Sequence, residues 1–470
     1  MTPQESVLQF GTGMLLRSIV ANAVDAANLA GQFGGRIVVV QSTPHGVAAT
    51  INRQRGEFTL VEQGIEDGAP IQRRRQIRSI ARALVADTEW PAIRAVAIRP
   101  ELRVIISNVT EAGFRLDANQ PASSFPGRLT DLLHARFAAL PDAPILFVIP
   151  TELVPDNGPR LAEMVEALAR RLDDASEFIS WIARRVRFCS SLVDRITTVA
   201  STEVERNELV TITEPQWLWA IECDPVALRA AFPVDVASPG SVIFAPDISW
   251  YRERKLRLLN GAHTAIAPIA MMAGCRFVRE ATTHKAVGSF LRRILFEEIA
   301  PSTSLVAGDA ASYARSVIDR FANPWLDHEW QVILTNQIAK LRLRVIPSIV
   351  SFNDKFGRIP DGLTWALAAS LRYARTVGPA EGWWRGVSYR IVDLDGALID
   401  AHWRRVDPAA KAAAVDEATL VRFAESVLSD AEVWGRNLTE MKGMVAAVTA
   451  ALVGMERTPR PEPQARDHKH

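Results

Sequence analysis

The sequence predicts an α/β domain with a doubly wound, Rossmann-like parallel sheet, followed by a mostly α-helical domain. Three observations lead there. Short, almost unbroken apolar runs at 6–10, 36–40, 102–107 and 145–149 have the composition of strands buried on both faces, as parallel strands are. The first run enters Gly11-Thr12-Gly13 and then Leu15, Leu16, Ile19, Val20, Ala23 and Val24 at helical spacing. Beyond a last strand at 242–245, the apolar pattern is helical nearly throughout. The expected boundaries are therefore 1–245 for the sheet domain and 246–456 for an all-helical domain that would carry substrate and catalysis. The Pro-rich polar stretch 457–470 is expected to be a disordered tail.

Composition narrows the function classes. At 470 residues, 48% hydrophobic and 23% charged, the chain can bury more than one real core. A formal net charge of +1 gives no argument for nucleic acid or an anionic membrane. The three cysteines, Cys189, Cys223 and Cys275, have no metal-ligand spacing, and so sparse an odd set fits a reducing cytoplasm. No secretory leader is evident, and the most apolar late stretch, 444–455, is far shorter than a membrane span. A cytoplasmic protein is expected.

Taken in order, strand, glycine turn, helix and strand form the opening of a dinucleotide-binding unit. The glycines let the backbone approach a pyrophosphate, and the helix N-terminus supplies amides and dipole. The third glycine of that pattern is absent, because Met14, Leu15 and Leu16 follow Gly13. The acidic residue that usually closes the second strand is also absent, since Gln41-Ser42-Thr43 stands there. No arginine is placed there to meet a 2′-phosphate, so NAD and NADP both remain open. Residues 58–61 and 71–79 read as extended, with Arg73-Arg74-Arg75 as a solvated run. The run 102–107 ends in Asn108-Val109-Thr110-Glu111-Ala112-Gly113, a polar loop at a strand's carboxyl end, where open α/β sheets bind ligands. A capped turn is its plainer alternative. Residues 123–140 and 159–172 read as helices around the strand 145–149, and later helices are expected at 254–272, 284–298, 309–321, 328–343, 363–376, 420–428 and 442–453.

The stretch 251–264, YRERKLRLLNGAHT, carries the chemistry, with Lys255, Asn260 and His263 beside leucines. At about 100° per residue, Asn260 lies roughly 140° and His263 roughly 80° round from Lys255, all within one half of a helix. Leu256 and Leu259 place that half at the edge of a core. Partial desolvation disfavours a charged lysine and suits it to proton transfer, while an amide and an imidazole can orient a hydroxyl or donate to a developing alkoxide. No serine or cysteine nucleophile lies in the segment. The plainer reading is a solvated run, Arg252 to Arg257, beside a satisfied core histidine.

These pieces together resemble the long-chain polyol dehydrogenase family, which includes mannitol 2-dehydrogenase, fructuronate reductase and tagaturonate reductase. The resemblance spans 7–348. Its motifs are Phe10-Gly11-x-Gly13, Ser107 through Gly113, Glu152 through Gly158, Ser191-Leu192-Val193-Asp194-Arg195, Glu214-Pro215 with Trp219, Asn323-Pro324 with His328, and Lys255-x4-Asn260-x2-His263. It implies Lys255 as general acid/base, with Asn260 and His263 holding the reacting oxygen, and a metal-independent hydride transfer with NAD. Phe10, Gly11, Gly13, Ser107, Asn108, Thr110 and Glu111 would bind the cofactor. Glu152, Leu153, Arg252 and Lys340 would face the substrate, a sugar acid or polyol, in a monomer or homodimer. Leu153 stands where mannitol-type members carry asparagine, and Arg252 where they tend to carry glutamate. With Asn-Gly-Ala-His-Thr at 260–264, these departures resemble the tagaturonate reductase branch. A uronate carboxylate would then be met by Arg252, Arg342, Arg344 or Lys340. The alternatives are another polyol dehydrogenase of the same family and, from a different class, a catalytically silent nucleotide-binding sensor.

Overall fold

Strand β1 (Gln4–Phe10) lies at the centre of the first sheet, between β2 (Gly35–Gln41) and the later strand Val104–Ser107. The computed structural model describes residues 4–110, 113–116, 123–198, 202, 207–393, 395–409 and 414–457. Further along the chain come β3 (Phe58–Glu66), β4 (Ala69–Ile77), β5 (Ile80–Val85), β6 (Val104–Ser107), β7 (Leu146–Pro150) and β8 (Val186–Phe188). The sheet is six-stranded and parallel, in the order β5-β2-β1-β6-β7-β8.

Period-two alternation explains why these runs are almost wholly apolar. Val7, Ile37, Val39, Val104, Ile106 and Ile149 face one core, packed by Leu16, Ile19, Val20 and Val24 of the first helix. Leu8, Val38, Val40, Ile105 and Val148 face the other, packed by Ile93, Leu129, Leu161 and Trp181. With helices on both faces, neither side of a strand can be polar. Register then aligns the carboxyl ends: Phe10 pairs with Val40 and Ser107, and Ser107 with Pro150. The loops after four strands therefore leave the sheet at one edge. That edge is the place for a ligand.

The N-terminal part also holds β9 (Ser191–Asp194), β10 (Thr197–Thr198), β11 (Thr211–Thr213), β12 (Leu218–Glu222) and β13 (Val242–Ala245). They form two smaller sheets, β10-β11-β3-β4 and β13-β12-β9. On β4, Arg73 and Arg74 are exposed, and charged side chains of this kind blunt an edge strand. The strand 80–85 and the helix Trp90–Ala97 are found in addition to the elements expected from sequence.

The chain divides into two compact units, Met1–Gly64 with Pro70–Tyr251, and Ile65–Ala69 with Arg252–His470. In the second, the helix Gly261–Met272 is buried along most of its length and packs on Asp361–Tyr373. The expectation that this unit is all-helical is corrected by β14 (Thr376–Gly378), β15 (Glu381–Trp384) and β16 (Val387–Arg390), an antiparallel sheet. Trp384 pairs with Val387 around Arg385 and Gly386, whose positive φ of 49° and 85° make the two-residue turn that fits a twisted hairpin. The helix expected over 328–343 is likewise broken. Asn336, at φ +58°, separates Trp330–Ile333 from Gln337–Lys340, because a left-handed residue cannot continue a right-handed helix. The expected tail falls outside the described residues beyond Arg457, which itself ends the helix Met444–Arg457.

Candidate active site

In the N-terminal unit the glycine turn sits against the loop that follows β6. Gly11 has φ +121°, and a Cβ there would lie 2.9 Å from the Asn108 carbonyl oxygen, so the contact excludes a larger residue. Gly13 is exposed, and a Cβ there would meet nothing within 4 Å. Among the described residues nothing fills the space beside Gly13. The helix begins at Met14 with no side-chain cap and no acidic residue in its first turn, leaving its amides available to an anion.

The loops after β6 and β7 are locked together. Asn108 Nδ2 donates to the Thr151 carbonyl at 3.2 Å and to Thr151 Oγ1 at 3.0 Å. Glu152 accepts from Ser107 Oγ at 3.1 Å and from the Val109 amide at 2.9 Å. Burial pushes the Glu152 carboxyl above the ordinary value of 4.5, against the opposing pull of these hydrogen bonds. Asn157 donates to the carbonyls of Pro150, Glu152 and Ser191 and ties the loop to β9. Next to it a Cβ on Gly158 would approach the Ser190 amide nitrogen to 2.6 Å, so only glycine lets the helix start so close to the chain before β9.

Several expected contact residues therefore take a different part. Phe10 is fully buried and packs on Phe125 at 5.1 Å between ring centroids, so its side chain belongs to the core. Ser107 and Glu152 are buried and engaged with each other, which redirects Glu152 from a substrate face to bracing the loop. Gly11 and Asn108 are half-buried and Thr110 is exposed, all at the same edge, with Leu153, 80% exposed, in the neighbouring loop. Glu111 lies outside the described residues. Gln41 is spent internally. Its Nε2 donates to the Thr43 carbonyl and its Oε1 accepts from the Ala48 amide, fixing the loop where an acidic residue would otherwise meet a ribose.

In the C-terminal unit, Lys255 to Asn260 form a π turn between the helical segments Ser249–Arg254 and Gly261–Met272. A regular α-helix would set Asn260 about 140° round the cylinder from Lys255. In a π turn the hydrogen bonds run between residues i and i+5, so residue i+5 stacks close over residue i. Lys255 and Asn260 thus share a face, both half-buried. His263 follows, 9% exposed, with its ring stacked on Phe321 at 4.0 Å and edge-on to His328 at 5.6 Å. Thr264 Oγ1 donates to the Asn260 carbonyl at 2.8 Å and accepts from Arg344 Nη1 at 3.2 Å. The rest of the 252–257 run is divided between roles: Arg257 is buried on Ser348 Oγ at 2.7 Å, while Arg252 stays half-buried.

Two of the cations named from the sequence, Lys340 and Arg344, lie together in this unit. Lys340 Nζ donates to the Ile333 carbonyl at 2.7 Å. Burial and then the nearby Arg344 guanidinium push this ammonium down, opposed by Asp393. Burial and then the Lys340 charge lower His328, so its imidazole is neutral near pH 7. Burial also lowers Arg344, whose Nε has no hydrogen-bond partner among the described residues. Arg342 is exposed. Another π turn, Leu341–Val345, carries Arg342 and Arg344 and packs on the one carrying Lys255. Insertions of this kind leave no signature in residue type or hydrophobic spacing, which is why the arrangement was not legible from sequence.

Comparison with known proteins gives a concordant family. Residues 5–231 match the mannitol dehydrogenase Rossmann domain, and residues 247–456 the mannitol dehydrogenase C-terminal domain. Similar proteins include an altronate oxidoreductase of Halalkalibacterium halodurans, 33% identical and covering 95% of this chain and 90% of the relative. One of Bacillus subtilis is 30% identical, covering 96% and 94%. Among solved structures, Pseudomonas fluorescens mannitol 2-dehydrogenase, in ternary complex with NAD and D-mannitol, aligns over 97% of this chain and 95% of that chain, with a TM-score of 0.65 at 23% identity. A substrate-free D-sorbitol dehydrogenase aligns over 96% and 95%, with a TM-score of 0.72 at 19% identity. Both domains of one family are thus matched in order along the chain, and the chain belongs to the mannitol dehydrogenase family of oxidoreductases.

Proposed function

We propose that the protein interconverts a keto-hexuronate and an aldonate, tagaturonate and altronate, with a nicotinamide dinucleotide, NAD in first place. The observation carrying this reading is the π turn that puts Lys255 and Asn260 on one half-buried face, with His263 one turn further on. The relatives named altronate oxidoreductase, at 30% identity or more over nearly the whole chain, support the choice of substrate pair.

The cofactor, when bound, accepts or donates hydride at its nicotinamide ring. The chain's own residues do the rest. Gly11, Gly13 and the open helix start would receive the diphosphate, while the Asn108–Thr151 and Glu152–Val109 hydrogen bonds keep the adjoining loops in place. Lys255 takes the hydroxyl proton in oxidation and returns it to the alkoxide in reduction. Asn260 and His263 hold the reacting oxygen, and donors fixed in advance stabilise the charge that develops on it. His263 is held ready for this by Phe321 on its face. Lys340 and Arg344, two crowded and partly desolvated cations, are suited to a substrate carboxylate, with Arg252 as a further contact.

The test is NADH oxidation by the purified protein with tagaturonate, fructuronate and fructose, run in parallel with NADPH. Turnover on tagaturonate supports the reading. Turnover on fructose or fructuronate alone keeps the proton-transfer chemistry and rejects the substrate. Cofactor binding with silence across the panel would reject the reading in favour of a nucleotide sensor.

A further inference from the structure

Arg17 lies four residues after Gly13, on the π turn Arg17–Ala21 of the first helix, and is 6% exposed. Its Nη1 donates to the Thr12 carbonyl at 2.7 Å, inside the glycine turn, and its Nε donates to Thr211 Oγ1 at 2.9 Å. Among the described residues Nη2 makes no hydrogen bond and no carboxylate pairs with the group. A cation in that position is costly without a counter-charge.

Two other buried arginines of the same unit show what a purely structural arginine does here. Arg195 is paired with Glu62 at 2.5 Å and also donates to the Glu214 carbonyl. Arg136 is surrounded by the carbonyls of Ala97, Arg99 and Leu102 at the end of the helix Trp90–Ala97, where the dipole is negative. Among the described residues Arg17 has no carboxylate partner and a single carbonyl, that of Thr12. It sits at the positive end of a helix, where the dipole adds to its charge rather than offsetting it. Burial alone pushes its guanidinium down to about 10, still a full cation at neutral pH.

From this geometry we infer that Arg17 is a positioning residue for a dinucleotide diphosphate: it fixes the Gly11–Gly13 turn through the Thr12 carbonyl and holds the positive charge the diphosphate meets there. The role suits a turn whose third glycine is replaced, since Leu16 closes the space beside Gly11 and leaves charge, rather than closer backbone approach, to strengthen the site. The inference rests on the dinucleotide reading of this unit given above.

Binding of NADH, ADP-ribose, AMP and adenosine to the wild type, Arg17→Met and Arg17→Lys tests it. Losing a hydrogen-bonded charge should weaken NADH and ADP-ribose by about tenfold or more, with adenosine changed by no more than about twofold. Arg17→Lys should restore part of the loss, and in turnover the effect should fall on KM for NADH rather than on kcat. An equal loss for adenosine and ADP-ribose, or unchanged NADH affinity in a folded Arg17→Met protein, overturns the inference. If Arg17→Met does not fold, Thr211→Val, which releases Nε, should give a smaller loss confined to the diphosphate ligands, and its absence overturns the inference as well. A wild type that binds neither NADH nor NADPH rejects the dinucleotide reading itself, and the inference with it.

Discussion

At the residue scale, Lys255 and Glu152 are two ionisable groups placed for different ends. Lys255→Ala should lower kcat by about 10²–10⁴-fold, the usual worth of a positioned general acid/base, with NADH affinity nearly unchanged in a direct titration. A protein that used its nucleotide site only for sensing would show no such split. Glu152 is held above its ordinary pKa of 4.5 by burial, so the folded state keeps its proton after the unfolded chain has lost it. The stability this contributes is complete below about 4.5 and is lost as pH rises through the folded-state value. Glu152→Gln, which resembles the protonated form, should therefore match the wild type in urea melts near pH 4.5 and become relatively more stable toward pH 8. A wild type and variant with parallel pH profiles would reject this account. The types Lys255, Asn260 and His263 were legible in the sequence because they are polar residues set among leucines. The part played by Glu152 was not, because its partners Ser107 and Val109 lie on another strand's loop.

At the element scale, the π turn decides how the C-terminal unit can work. The helical segment before it, Ser249–Arg254, has no fully buried residue, and its Tyr251 packs at the edge of the Leu218, Ala220 and Ile248 cluster. Deleting Gly261, immediately after the turn, should convert it to regular α-helix while Lys255 and Asn260 stay five residues apart, which rotates Lys255 by about 100° relative to Asn260. Circular dichroism should then show unchanged helix content while kcat falls by about 10²-fold or more, as expected when an acid/base group is misplaced. Activity close to wild type would show that the turn has no part in catalysis. The element itself was foreseen only as a helix. It packs against the second π turn, Leu341–Val345, more than eighty positions away in the chain, a contact that hydrophobic spacing does not report.

At the scale of the whole molecule, each unit combines an apolar interior with a buried ion pair, Arg195 with Glu62 at 2.5 Å in the first. The first has a sheet covered on both faces by apolar side chains. The second buries an ion pair, Arg372 with Glu456 at 2.6 Å, which ties the final helix to Asp361–Tyr373. Removing one partner of such a pair leaves an uncompensated charge, so Glu456→Ala should destabilise the C-terminal unit by about 3–5 kcal/mol. In a denaturant titration with domain-specific probes, the C-terminal transition should move and the N-terminal one should stay. A shift below about 1 kcal/mol would place the pair among those screened by water.

The sequence by itself determined the buried strands, the glycine turn and the helical character of the second half, because hydrophobic periodicity and turn residues act locally and period-two strands admit few alternatives. It determined the chemical types near Lys255 as well. Tertiary structure alone decided which residues meet. It turned Phe10 into the core, committed Gln41 and Glu152 to bracing loops, stacked His263 on Phe321, and crowded Lys340 with Arg344. Each of these depends on contacts between residues distant in sequence, and a buried polar group takes whichever partner the surrounding packing leaves it.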